Sequence, residues 1–153
     1  MSRLSEGLSG LTPVIISSTA AATLRLNPQD HAGRLVVQDA IVVTSAKTFQ
    51  LPKATGSGDV YEIVNNAVQT QSLVVAALGT DVMTGSAFIR SETAGTTDVF
   101  HTTATSDKYT FNVTTTGGLR GDRIRCVDYK DATWLVYVEG NGSGTLATGF
   151  SET

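Results

Sequence analysis

The chain has 153 residues, a formal net charge of −3, 16% charged residues and a single cysteine. That length holds one domain with a core of its own, and one cysteine excludes both an internal disulfide and a thiolate metal cluster. The acidic balance argues against a nucleic-acid binder that works by neutralising phosphates, and the wealth of Thr, Ser, Ala, Val and Gly favours strands and turns over long helices.

Residues 1–22 are small and polar, are interrupted by Gly7, Gly10 and Pro13, and carry one apolar triplet, Val14-Ile15-Ile16. They lack the continuous apolar segment of a secretory signal. No apolar run in the chain nears the roughly 20 residues of a membrane span. Synthesis in the cytosol as a soluble protein is therefore expected. Two readings of 1–22 stand side by side: an unstructured terminus, or an extended arm outside the core. Such an arm would order against a partner through Leu11, Val14, Ile15 and Ile16.

Short strands are expected at 23–26, 34–37, 41–44 and 48–51, separated by turn residues such as Asn27-Pro28 and Asp39. The segment 60–64 alternates, and Glu62 on one face assigns Tyr61 and Ile63 to the core. The run Leu73-Val74-Val75-Ala76-Ala77-Leu78 exceeds what one face of a small sheet needs. It reads as fully buried or as a subunit interface, with Leu73, Val74, Val75 and Leu78 as the self-association residues. Strands follow at 87–89, 99–102 and 109–113, the last with Tyr109, Phe111 and Val113 on one face. Arg123-Ile124-Arg125-Cys126 and Trp134-Leu135-Val136-Tyr137-Val138 then form two strands around a polar loop. If they pair, Ile124 and Cys126 face the same core as Trp134 and Val136, and the lone tryptophan anchors it. Gly140 to Gly144 closes the domain. The expected fold is all-β: a single antiparallel β-sandwich or barrel, β-tulip or jelly-roll-like, over 23–144, with an extended N-terminal arm at 1–22 and a short tail at 145–153.

No catalytic, cofactor-binding or metal-binding residue is assigned. The Gly-rich stretch Ala54-Thr55-Gly56-Ser57-Gly58 has no Lys-Ser/Thr ending and opens no helix, so it reads as a hairpin loop and not a phosphate cradle. Arg120-Gly121-Asp122 spells an adhesion tripeptide but also leads directly into a strand. His31 and His101 lie far apart and read as surface or rim residues. No Gly-x-Ser-x-Gly accompanies them, and two histidines are too few for a metal. The sequons at Asn112 and Asn141 have no consequence without secretion.

Four stretches together resemble a known group. They are Leu51-Pro52-Lys53-Ala54-Thr55-Gly56-Ser57-Gly58-Asp59-Val60-Tyr61, Asp81-Val82-Met83-Thr84-Gly85, Thr114-Thr115-Thr116-Gly117-Gly118-Leu119-Arg120-Gly121-Asp122, and Trp134 to Val138 followed by Gly144-Thr145-Leu146-Ala147-Thr148. In order and spacing they look like the head decoration, or cement, proteins of tailed bacteriophages. The likeness runs over about 30–150, and departs at Gly149-Phe150, where a proline before the phenylalanine is expected. The resemblance implies a β-rich subunit, usually a homotrimer, on the outer surface of the virion capsid. There it would bind the major capsid protein, often through an N-terminal arm, with no cofactor and no enzymatic activity. A domain of a head or tail fibre and a carbohydrate-binding module are the rival readings. The latter needs a row of exposed aromatics, for which Tyr129, Trp134 and Tyr137 are the only close cluster, and strand alternation splits Trp134 from Tyr137.

Overall fold

A computed structural model describes residues 12–16, 22–39, 42–43 and 45–153. The elements in chain order are β1 (Val14–Ile16), β2 (Ala22–Arg25), α1 (Pro28–His31), β3 (Leu35–Gln38), β4 (Val42–Val43), β5 (Lys47–Gln50), β6 (Val60–Asn65), β7 (Val68–Gln69), β8 (Leu73–Ala76), β9 (Val82–Ser91), β10 (Thr97–His101), β11 (Lys108–Phe111), β12 (Arg123–Lys130), β13 (Thr133–Gly142) and β14 (Phe150–Ser151). The protein is mostly strand, and among the described residues no helix is long and apolar enough to cross a membrane. The one helical turn, α1, starts because Asn27 accepts the Asp30 amide at 2.8 Å and Pro28 supplies a preset first residue.

Seven strands form one sheet in the order β1-β3-β6-β12-β13-β9-β10, and five form a second in the order β14-β11-β8-β5-β2. A two-stranded ladder of β4 and β7 lies apart from both. The sheets are mixed, which corrects the expectation of purely antiparallel pairing. β1/β3, β3/β6, β13/β9, β2/β5, β5/β8 and β4/β7 are parallel. The reason is topological. Between β3 and β6 the chain passes through β5 of the other sheet, and between β5 and β8 it passes through β6 of the first. A strand reached by such a crossover enters from the same end as the one it left. Tight hairpins survive only where consecutive strands stay in one sheet, as at β9/β10 and β12/β13.

Both sheets contribute to one hydrophobic cluster. The β12/β13 pairing sets Ile124 opposite Val138 and Cys126 opposite Val136, all fully buried. Burial pushes the Cys126 thiol up, far from any thiolate. Trp134 is 0% exposed and meets Tyr61 edge-on, with ring centroids 5.6 Å apart. In the other sheet Tyr109 stacks edge-on against Phe111 and Phe150 at 4.8 and 4.9 Å. Its hydroxyl donates to the Thr116 carbonyl at 2.9 Å.

Four local expectations change. Val14–Ile16 is not outside the core, because β1 pairs with β3 and Val14 and Ile16 pack against the cluster. Of its two readings, the run from Leu73 takes the buried one and not the subunit interface. β8 lies inside the five-stranded sheet, between β11 and β5, with Leu73 and Val75 buried in the cluster. Gly140 to Gly142 continues β13 where a loop was expected. Residues 145–153 are not a free tail: β14 pairs with β11, and Phe150 is buried beside Tyr109.

Candidate interaction surface

Three buried carboxylates look at first like chemistry, and each is spent on holding a loop. Asp128, at the end of β12, accepts the amides of Thr55, Gly56 and Ser57 at 2.9, 2.7 and 3.1 Å, and the Thr55 and Ser57 hydroxyls at 3.1 and 2.8 Å. The Gly-rich stretch therefore does gather amides around an anion, but the anion is the protein's own. Asp81 accepts the Ala54 amide at 2.6 Å. Asp122 accepts the amides of Gly118, Leu119 and Asn141 at 2.7, 2.9 and 3.0 Å, and the Asn141 side chain at 2.7 Å. Asp122 is buried, so the Arg-Gly-Asp tripeptide presents no free carboxylate for adhesion.

Burial pushes the Asp128 carboxyl up, but the hydrogen bonds from Gly56, Ser57 and Thr55 outweigh it and hold the group below the ordinary carboxylate range. A depressed folded value means that the stabilisation is complete above the unfolded value of about 3.9 and is lost as pH falls through the still lower folded one. Asp128→Asn is expected to lower stability at neutral pH by about 1–3 kcal/mol, since it disturbs a buried, fully engaged acceptor. The gap between wild type and variant should narrow as pH falls below about 4. Urea unfolding at a series of pH values measures this; a constant gap down to about pH 2 would assign the acid sensitivity to other groups.

The histidines divide. His31 is buried, not a surface residue; its Nδ1 lies 3.1 Å from the Asn27 amide inside the turn of α1. His101 is exposed on β10, with its Nδ1 3.0 Å from the Ser86 hydroxyl. Among the described residues no group of three or more His, Cys, Asp or Glu is placed to hold a metal ion.

What remains is a surface: the outward side of the seven-stranded sheet. The ladder registers place Glu62, Arg125, Tyr137, Ser86 and His101 in one row across β6, β12, β13, β9 and β10. The next row has Ile15, Val37 and Val64 on one side, Arg123 and Glu139 in the middle, and Phe88 and Val99 on the other. Ile15, Phe88, Val99 and Tyr137 are 51%, 44%, 45% and 47% exposed, which is unusual for large apolar side chains that share one face. Arg123 bridges Glu139 at 2.8 Å and Glu62 at 3.5 Å. The Glu139 hydrogen bond raises the Arg123 pKa. The pairs are half exposed, so they contribute about 0–1 kcal/mol. Phe88, Tyr137 and these charged groups line a shallow cleft of about 330 Å³.

Of the residues assigned to the arm, Leu11 lies outside the described residues. Val14 and Ile16 point to the core, and Ile15 alone reaches the outward face. Of those assigned to self-association, Leu73 and Val75 are core, Val74 is half-buried, and Leu78 is exposed beyond the end of β8. The alternation that put Trp134, Val136 and Val138 inside already left Tyr137 outside. Phe88 was open to the same reading, between Ala87 and Ile89. Comparison with protein-family models, with curated proteins and with solved structures gives no match.

Proposed function

We propose that the protein is a bacteriophage capsid decoration protein, a homotrimer that binds the outer surface of the assembled head and holds neighbouring major capsid protein subunits together. The observation that carries this reading is the outward face of the seven-stranded sheet, where exposed Ile15, Phe88, Val99 and Tyr137 flank the ion-paired Arg123, Glu139 and Glu62, in a chain whose three buried carboxylates among the described residues are committed to its own loops. A face of that kind suits binding to a protein surface better than it suits chemistry. The motif order and spacing that resemble the cement proteins support the major capsid protein as the partner. The acidic balance favours outer seating, since an inner position would face packaged DNA.

The mechanism is linkage. A protein that binds only the assembled lattice stabilises it by about 2.7 kcal/mol per site at a hundredfold excess over its dissociation constant. Many such clamps strengthen the seams of a shell under internal pressure. Leu11 and Ile15 are the arm residues left to grip the shell, because Val14 and Ile16 are engaged in the fold. The test adds purified protein to undecorated heads and reads occupancy and the temperature at which the heads release DNA. Full-length chain should saturate a fixed number of sites and raise that temperature. A chain beginning at Thr12, which keeps β1, should bind more weakly. Equal binding by both would remove Leu11 from the grip, and absence of binding, with the protein found on tails, would overturn the proposal.

A further inference from the structure

The described seven-stranded sheet ends in β1 on one side and in β10 on the other. Among the described residues no strand lies outside β1 or outside β10. Open edges invite pairing, and proteins usually blunt them with proline, lysine, bulges or covering segments. Thr97–His101 has no proline, lysine or register break, and its side chains are almost all exposed, whereas Pro13 before β1 has no N–H and limits that free edge to the backbone groups of Ile15.

The hydrogen-bond parity of both edges can be read out. On β10, Ser91 donates to the Thr96 carbonyl at 2.8 Å and Thr102 donates to the Gly85 carbonyl at 3.2 Å. Bonded residues alternate along an antiparallel strand, so Asp98 and Phe100 also turn their backbone groups towards β9. Thr97, Val99 and His101 turn theirs outward. On β1, Asp39 donates to the Ile16 carbonyl at 2.9 Å, so Ile16 and Val14 bond to β3 and Ile15 turns its N–H and C=O to the free edge. The side chains of Ile15 and Val99 stand in the same row, on the same outward face, at opposite ends of the sheet.

The strand directions are also compatible. β1, β3 and β6 run together, β12 runs against them, β13 and β9 run with them, and β10 runs against them. A β1 laid beside β10 of another copy, with the outward faces aligned, is therefore antiparallel to it.

We propose that copies of this chain associate head to tail, the β1 edge of one pairing antiparallel with the β10 edge of the next, with Ile15 opposite Val99. The occupant is a second copy of this chain because the two edges complement each other: each offers an outward N–H and C=O at the centre of an exposed apolar position. The joint also carries the apolar row across, setting Ile15 of the next copy beside Val99 and Phe88, and β1 contributes no charge to oppose Asp98. A head-to-tail contact closes into a ring or runs on as a filament, and the homotrimer is the ring. This deepens the homotrimer part of the proposed function, and it is tested without capsids, so its failure is distinct from failure of shell binding.

The experiment compares wild type with Val99→Pro by light scattering at micromolar concentrations. The Val99 N–H points away from β9, so proline there spares the chain's own ladder and removes the outward donor. Wild type should be oligomeric, and Val99→Pro should be monomeric with a cooperative melt. Separately, Ile15→Cys and Val99→Cys chains are mixed and oxidised. Directly paired positions lie about 5.5 Å apart between Cα atoms, within disulfide reach, and the buried Cys126 does not compete. A disulfide joining the two different chains is expected. A monomeric wild type, a Val99→Pro variant that assembles like wild type, or the absence of the mixed disulfide in an oligomeric sample would each overturn the proposal.

Discussion

Replacing Gly85 by alanine is expected to abolish folding. Gly85 lies in β9 at φ +151°, paired with Val136 of β13. A Cβ there would stand 1.8 Å from the Val136 carbonyl oxygen and 2.8 Å from its carbon. Both contacts are backbone, so no rotamer change relieves them. Either β13 moves, dragging Trp134, Val136 and Val138 out of the core, or the β9 ladder breaks. Overpacking of this kind costs more than about 4 kcal/mol, a large part of the 5–15 kcal/mol that holds a typical domain together. The control is Gly79→Ala. Gly79 also has positive φ, +64°, but nothing lies within 4 Å of an added Cβ, so only the strain of a left-handed residue applies, about 1–2 kcal/mol. Circular dichroism and thermal melting of the two variants separate steric conflict from the loss of a glycine. If Gly85→Ala melts cooperatively within a few degrees of Gly79→Ala, the close approach of β9 and β13 is not held in solution.

Trp134→Ala is expected to cost about 3–5 kcal/mol. The indole is fully buried and packs edge-on against Tyr61 at an interplanar angle of 77°. Its removal takes away both burial and an aromatic pair that adds about 0.5–1.5 kcal/mol. Trp134→Phe separates packing from polarity. The Trp134 Nε1–H and the Tyr61 hydroxyl have no hydrogen-bond partner among the described residues. Phenylalanine therefore sacrifices no hydrogen bond there and should recover more than half of the loss caused by alanine. Denaturant unfolding of the three proteins gives the comparison. A sugar platform would show the opposite pattern, with an unchanged melting temperature and a lost ligand. Full burial of the indole rules out stacking on a carbohydrate.

The two predictions depend on information of different range. That Trp134, Val136 and Val138 face inward was legible from the sequence, because a strand's two faces alternate locally and a solvated face must be polar somewhere along it. The same logic placed Tyr61 and Ile63 opposite Glu62, set Tyr109 beside Phe111, and paired Ile124 and Cys126 with the Trp134 strand. Asn27-Pro28 marked a turn for an equally local reason, whereas Gly140 to Gly142, read as a loop on the same grounds, continue β13.

The need for glycine at position 85 was not legible, since it arises from a β13 carbonyl brought alongside by a parallel pairing. The loop clasp at Asp128 joins residues 73 positions apart, and nothing in either stretch alone names the other. The Leu73 run shows the limit most plainly. An unbroken apolar segment is equally at home between two strands and between two subunits, and only the placement of β5 and β11 on either side of β8 decided it. Val14-Ile15-Ile16 behaved in the same way: composition marked it as apolar and extended, but whether it joined its own sheet depended on a free edge at β3. Side-chain alternation is a property of each strand by itself, and the sequence alone determined it. Strand order, direction and edge depend on which distant segments close the lowest-energy set of ladders, and only the tertiary structure decided them.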